Sequence, residues 1–392
     1  MTYRDRFHIP KAPDGSDCVY FCGHSLGLQP RTLRGYIEQE LKDWEDLGVE
    51  AHFRARHPWM PYHKLLTEQT ARLVGAKPPE VVAMNSLTVN LHLMMVSFYR
   101  PTHARHKIVM EEHAFPSDQY AVKSQIHYHG FEPAKSLLTV TNEDELDAVL
   151  KEQGDSVALI LLGGVNYSSG RAFDLARITR AGHAHGCVVG FDLAHAAGNL
   201  HLKLHEWDAD FAVWCSYKYL NAGPGSTAGC FVHERHANAD LPRFAGWWGH
   251  DQETRFRMGP DFHATPGAEG WQLSNPPILP MAALRASMDI FDEAGMENLR
   301  AESVRLTGYL ESLLDKHADR GFSILTPRDP ERRGAQLSIR VRNVREVCEQ
   351  LAAAGILCDW REPDILRVTP APLYNSVADI DRFIERFLSL GI

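Results

Sequence analysis

Two apolar runs in this chain each end in a residue type that can carry chemistry. Cys187-Val-Val-Gly-Phe-Asp192-Leu-Ala-His195 ends in a carboxylate. Phe211-Ala-Val-Trp-Cys-Ser-Tyr217-Lys218-Tyr219 ends in an amine, and Asn-Ala-Gly-Pro-Gly-Ser follows at once. Pyridoxal phosphate (PLP) needs this pair. An acid at a strand end keeps the pyridine nitrogen protonated and makes the ring an electron sink, while a lysine at the next strand end forms the Schiff base. Asp192 has a second use, as the N-cap of a following helix. Most lysines are solvated surface charges. One that is flanked by two tyrosines after Phe-Ala-Val-Trp-Cys fits that use poorly.

Other positions add to the pair. His195 lies three residues after Asp192 and shares a face with it if a turn forms there. Ser86-Leu87-Thr88 opens a predicted helix directly after a strand. A helix start of that kind offers free N–H groups and a positive dipole end to a phosphate, or is an ordinary Ser/Thr cap. Phe115, in Phe115-Pro116-Ser117-Asp118, is placed to stack on a planar ring or to join the core. Arg367 stands in the short apolar run Ile365-Leu366-Arg367-Val368. A buried arginine there needs a carboxylate, either that of a substrate held by two parallel hydrogen bonds or that of an internal ion pair.

The elements that must position these residues alternate. Strands are expected at 81–84, 107–110, 157–162, 187–191 and 211–214. Helices are expected at 30–48, 62–75, 86–99, 117–127, 143–151 and 174–185. Short apolar strands between helices imply a largely parallel sheet covered on both faces. After residue 275 the pattern changes. Prolines break the chain, one long helical stretch runs to about residue 317, and strands at 322–325, 336–341 and 365–368 surround a helix at 344–354. The expected architecture is α/β, with a large domain at 51–279, a small α+β domain at 280–392, and a segment at 1–50 packed beside the small domain.

The 392 residues suffice for two such domains, and 44% hydrophobic with 23% charged content is ordinary for a globular protein. The formal charge of -9 argues against broad nucleic-acid or anionic-membrane binding. The 21 histidines are scattered, show no zinc spacing with cysteines, and are expected on the surface or in loops, so no metal is expected. Seven cysteines without a CxxC pair read as reduced, buried thiols of a cytoplasmic protein. No run approaches the length of a membrane span.

Read together, these motifs resemble the kynureninase family, PLP enzymes of fold type I. Phe21-Cys-Gly-His-Ser25-Leu-Gly-Leu-Gln-Pro30, Asn85-Ser-Leu-Thr88, Ala114-Phe-Pro-Ser-Asp118, Gly190-Phe-Asp-Leu-Ala-His195, Trp214-Cys-Ser-Tyr-Lys-Tyr-Leu-Asn-Ala-Gly223, Gly246-Trp-Trp-Gly-His250, Ser274-Asn-Pro-Pro-Ile278 and Arg367-Val-Thr-Pro-Ala-Pro-Leu-Tyr-Asn-Ser376 match in order. The resemblance implies that Lys218 carries PLP, Asp192 pairs with its ring nitrogen, and His195 lies nearby. Leu87 and Thr88 would meet the phosphate. The Phe115, Pro116, Ser117, Asp118 run would line the cofactor, with Phe115 on the ring. Tyr217 would bind the phosphate and relay protons. Trp247 and Asn275 would reach the cofactor from a second subunit of a homodimer with shared active sites. Arg367 would hold the substrate α-carboxylate, and Ser25, His52 and Asn275 would face the aromatic amino ketone. The implied reaction hydrolyses L-kynurenine or 3-hydroxy-L-kynurenine to anthranilate or 3-hydroxyanthranilate plus L-alanine.

The chain departs from the family pattern in places. His24 replaces the usual Asn. Gly163 falls where some members carry a hydroxyl that touches the cofactor, so that contact is lost or made by backbone. Trp248 replaces Phe. His52 with Asn275 is the pattern of members that favour the 3-hydroxylated substrate. Other fold type I activities are the rivals: an aminotransferase, or a cysteine desulfurase using Cys358 as its reactive thiol. A non-catalytic homologue would need a broken site, yet Lys218, Asp192 and Arg367 are all present.

Overall fold

The computed structural model describes residues 3–391. In chain order its strands are β1 (Val19–Tyr20), β2 (Val81–Ala83), β3 (Lys107–Glu111), β4 (Leu137–Val140), β5 (Val157–Gly163), β6 (Val188–Asp192), β7 (Phe211–Trp214), β8 (Gly229–Val232), β9 (Phe322–Ile324), β10 (Leu337–Val341), β11 (Ile356–Leu357), β12 (Asp359–Arg361) and β13 (Ile365–Val368). Seven of them form one sheet in the order β2-β8-β7-β6-β5-β3-β4. Only β8 runs against its neighbours; the other pairings are parallel.

Both faces of this sheet are covered, because alternate residues of each strand feed different cores. Val109, Ile160 and Leu162, Val189 and Phe191 join one core with the helices Thr67–Val74, Leu175–Ala184 and Ile278–Ala294. Ile108 and Met110, Leu159 and Leu161, Phe211 and Val213 join a second with the helices Leu87–Phe98 and Pro116–Tyr128. The period-two split follows from the continuous apolar runs that the sequence shows, as expected of strands buried on both sides.

The small sheet, β12-β13-β10-β9, is antiparallel throughout and packs a third core against the helices Met296–Asp315, Val344–Ala353 and Val377–Ser389. Val19 and Phe21 join that core, and β1 pairs in parallel with β11. The N-terminal segment also reaches the large core, through Phe7 and Leu28.

Several expectations change. The single helical stretch to residue 317 is two helices, Ile278–Ala294 and Met296–Asp315, broken at Gly295 with φ 73°. A left-handed residue of that kind ends a helix, and glycine takes it without a Cβ penalty. The first of the two helices buries its apolar face in the large core, so the packing of the small domain begins after it. Strand β4 was not expected; its run Leu-Leu-Thr-Val is short and only Val140 is buried. His24 and His195 are buried rather than on the surface. Among the described residues no helix is long and apolar enough to cross a membrane.

Candidate active site

The carboxyl ends of five strands converge on one cavity of about 180 Å³. Ligands of open parallel sheets bind at such an edge. Leu87 and Thr88 come from the segment after β2, Glu111, Ala114, Phe115, Ser117 and Asp118 from the end of β3 and beyond it, Gly163 from the end of β5 with Val165 and Tyr167 from the loop after it, Asp192 from the end of β6 with Ala194 and His195 just beyond, and Tyr217 and Lys218 from the segment after β7. A cavity of roughly 150 Å³ already holds a benzene ring, so a six-membered aromatic ring fits here.

Asp192 is the last residue of β6, buried, with Ala194 N–H donating to its Oδ1 at 2.7 Å. The Asp118 and Asp192 carboxyls share a hydrogen bond. Burial pushes Asp118 well above its ordinary value, and the Asp192 charge adds to that rise. Burial also raises Asp192, against the pull of the Ala194 N–H and the Lys218 cation. Two buried acids beside each other retain a proton unless a cationic donor arrives. A protonated pyridine nitrogen is such a donor, and this is the first sign that the site fits PLP.

Lys218 Nζ lies 5.7 Å from the centre of the Phe115 ring and 5.8 Å from that of Tyr217. Phe115 is half exposed, so its face is open to a planar partner. Burial raises the Tyr217 hydroxyl above its ordinary value, with the neighbouring Cys215 adding to the rise. His195 is buried, and burial together with the Lys218 cation holds its imidazole well below the usual range, in the neutral form. Its Nδ1 is buried without a hydrogen-bond partner. An orphaned polar atom on a cavity wall is the second sign of a fit.

The third sign is the anion cradle. The helices Leu87–Phe98 and Pro116–Tyr128 both start at the cavity, and Thr88 Oγ1 lies 2.9 Å from Ser117 Oγ. No side chain caps either helix, which leaves N–H groups for a phosphate. Pro116 is not on the wall; it fixes the first turn of its helix.

Not every expected residue meets in this cavity. Arg367 lies outside its wall, buried in β13, where Asp359 of β12 is its register partner and ion pair. The internal pair therefore exists, and Arg367 Nη1 donates at 2.8 Å to the O of Tyr167, a residue of the cavity wall. Ser25 is exposed and also off the wall. Its segment crosses the lysine loop, because Gly27 N–H donates to Tyr217 O at 2.8 Å. His52 hydrogen-bonds Val49 O through Nδ1 at 3.0 Å and packs on Trp59. Trp247 donates to Arg255 O at 3.2 Å and packs on Phe256. Neither His52, Trp247 nor Asn275 lines the cavity of this chain.

Glu111 and Tyr167 went unnoticed in the sequence. Glu111 Oε1 accepts from Asn166 Nδ2 at 2.9 Å, and burial raises the carboxyl to about 7. The available signal was its place as the last residue of a strand just before the Phe115 run. Cys358 is a poor nucleophile, since burial holds its thiol well above the usual value.

Comparison with known proteins agrees with this geometry. The family described as "Kynureninase C-terminal domain" matches residues 299–387. The kynureninase of Koribacter versatilis is 69% identical over 99% of this chain and 94% of its own length. Among solved structures, a C-DES variant with glycine covalently linked to its PLP cofactor has a TM-score of 0.82 at 17% identity, covering 99% of both chains. The cysteine desulfurase of Thermococcus onnurineus has a TM-score of 0.79 at 17% identity, covering 98% of both chains. At such identities these two likenesses speak for the fold alone.

Proposed function

The chain belongs to the kynureninase family, and from that premise we infer that it hydrolyses L-kynurenine or 3-hydroxy-L-kynurenine, giving anthranilate or 3-hydroxyanthranilate plus L-alanine, with PLP held on Lys218. Bound there, PLP would supply a sink for the electrons left by the α-proton, and water added at the γ-carbonyl would let the β–γ carbon bond break.

The residues of the chain do the rest. Lys218 would anchor the cofactor, and its amine would take the substrate α-proton. Asp192, with Asp118 behind it, holds the proton on the pyridine nitrogen. The helix starts at Leu87 and Pro116, with Thr88 and Ser117, receive the phosphate. Phe115 would pack on the ring, and Gly163 lines the same wall, where a Cβ would lie 3.4 Å from Glu111 Oε2. Tyr217 moves a proton at the phosphate side of the site. Arg367 receives the α-carboxylate, and Ser25 lies toward the aromatic end. The observation that carries this reading is the meeting of Lys218, Asp192 and two uncapped helix starts in one cavity.

The second subunit completes the site in this proposal. The partner subunit's Trp247 and the partner subunit's Asn275 would close the cavity. In support, an exposed aromatic patch lies beside these residues. Phe53, Phe256 and Met258 are 62%, 54% and 67% exposed, and Phe256 bridges Phe53 to Trp247. A contiguous apolar patch of that kind marks an interface. His52 and Asn275 would favour the 3-hydroxy substrate. Seven free cysteines, five of them buried, support a cytoplasmic location.

The test is a product assay on the holoenzyme with both substrates. Anthranilate or its 3-hydroxy form should appear in step with alanine, and Lys218→Ala should lose both. An oxo acid with aminated cofactor would point to an aminotransferase instead. Sulfur transfer from cysteine would point to a desulfurase.

A further inference from the structure

Arg367 is buried with three of its five N–H groups already committed. Nε donates to Asp359 Oδ1 at 2.7 Å, Nη2 donates to Asp359 Oδ2, and Nη1 donates to Tyr167 O at 2.8 Å. Asp359 thus takes the Nε/Nη2 edge of the guanidinium. One N–H on Nη1 and one on Nη2 remain, and the Nη2 one lies on the terminal edge. That edge is the other one able to grip a carboxylate by two parallel bonds.

Asp359 is itself held. His24 Nε2 lies 2.9 Å from Asp359 Oδ1, and Thr369 Oγ1 lies 2.7 Å from His24 Nδ1. Burial, aided by the Arg367 cation, lowers the His24 imidazole to about 4, so it is neutral and carries one N–H. An ionised Asp359 only accepts, so the proton sits on Nε2, and Nδ1 accepts from the Thr369 hydroxyl. Burial alone would raise Asp359, but the His24 and Arg367 hydrogen bonds hold it below its ordinary value. Arg361 Nη1, at 3.3 Å from Oδ2, adds a second cation. The unit joins three stretches of chain: the N-terminal segment, the hairpin of β12 and β13, and the Tyr167 loop on the cavity wall.

We propose that Asp359, aligned by His24, is a positioning residue that locks one edge of Arg367 and so presents the terminal edge to the substrate α-carboxylate. The proposal rests on the reading that Arg367 receives that carboxylate. Two effects oppose each other here. The Asp359 charge weakens the attraction between Arg367 and an incoming carboxylate. Its two charge-assisted bonds also fix a side chain that otherwise loses rotamer freedom on binding. The proposal requires the second effect to be the larger, and tighter binding of L-alanine by Asp359→Asn would show that it is not.

The test uses the holoenzyme and two amines that differ in the carboxylate: L-alanine, the amino-acid product, and ethylamine. Binding of each is read from the cofactor absorbance. In Asp359→Asn the dissociation constant of L-alanine should rise by about tenfold, while that of ethylamine stays within about twofold. His24→Phe should shift L-alanine in the same direction, and His24→Gln, whose amide reaches the Nε2 position, should restore it. If Asp359→Asn does not fold, the His24 pair decides the matter by the same criterion. Equal weakening of both amines, or no change in either, overturns the proposal. Arg367→Ala is the control. If it discriminates between the amines and the Asp359 and His24 variants do not, the positioning role fails while the carboxylate role of Arg367 stands. If Arg367→Ala treats both amines alike, the carboxylate role fails first, and the positioning role falls with it.

Discussion

Lys218, Asp192 and Asp118 show how one small cavity sets opposed charges to work. The Lys218 cation pulls both buried acids back toward ionisation, and a cationic ring bound beside them would complete the balance. Glu111 is a third carboxyl on this wall, and it makes a pH prediction. Burial raises its carboxyl from 4.5 to about 7. The folded protein therefore binds its proton more tightly than the unfolded chain does. The stabilisation from that proton is complete below the unfolded value and is lost as pH rises through 7. In the cofactor-free protein, thermal stability should fall between pH 4.5 and about pH 7, and Glu111→Gln should flatten that fall. An unchanged slope in the variant would mean that Glu111 is ionised in the folded state.

At the scale of elements, the pairing of β6 with β7 carries both chemical ends of the site, since Asp192 closes β6 and Lys218 follows β7. Gly190 within β6 is packed under the Phe211 ring of β7. A Cβ at Gly190 would lie 2.1 Å from that ring. Gly190→Ala should therefore cost about 1–3 kcal/mol through overpacking, seen as a lower melting temperature, and should weaken retention of the cofactor. A variant with unchanged melting and cofactor content would show that the two strands tolerate a shift. The sequence made this pairing legible because both strands are continuous apolar runs that end abruptly in polar residues. It left β4 hidden, because that strand is mostly half-buried and short. It could not separate the two roles of Arg367, because the partner Asp359 sits eight residues away and only an antiparallel hairpin makes them neighbours. Tyr167 was invisible for a similar reason: a loop residue enters a site through the path of the chain, which has no period.

Over the whole molecule, the large sheet builds the cavity, and in the proposed function Arg367 of the small domain would supply the carboxylate end. The proposed second subunit supplies the aromatic end. Such sharing makes a mixing prediction. Lys218→Ala and Trp247→Ala proteins should each be nearly inactive alone. Refolded together, half of the dimers are hybrids with one intact site of two, so activity should recover to about a quarter of the wild-type value. Simple averaging of the two parents would contradict a shared site.

The most direct test of the central claim is borohydride reduction of the yellow holoenzyme followed by mass analysis of its peptides. The pyridoxyl group should be found on the peptide carrying Lys218, and Asp192→Ala should lower cofactor retention without moving the label. A label on another lysine, or none at all, would contradict the account.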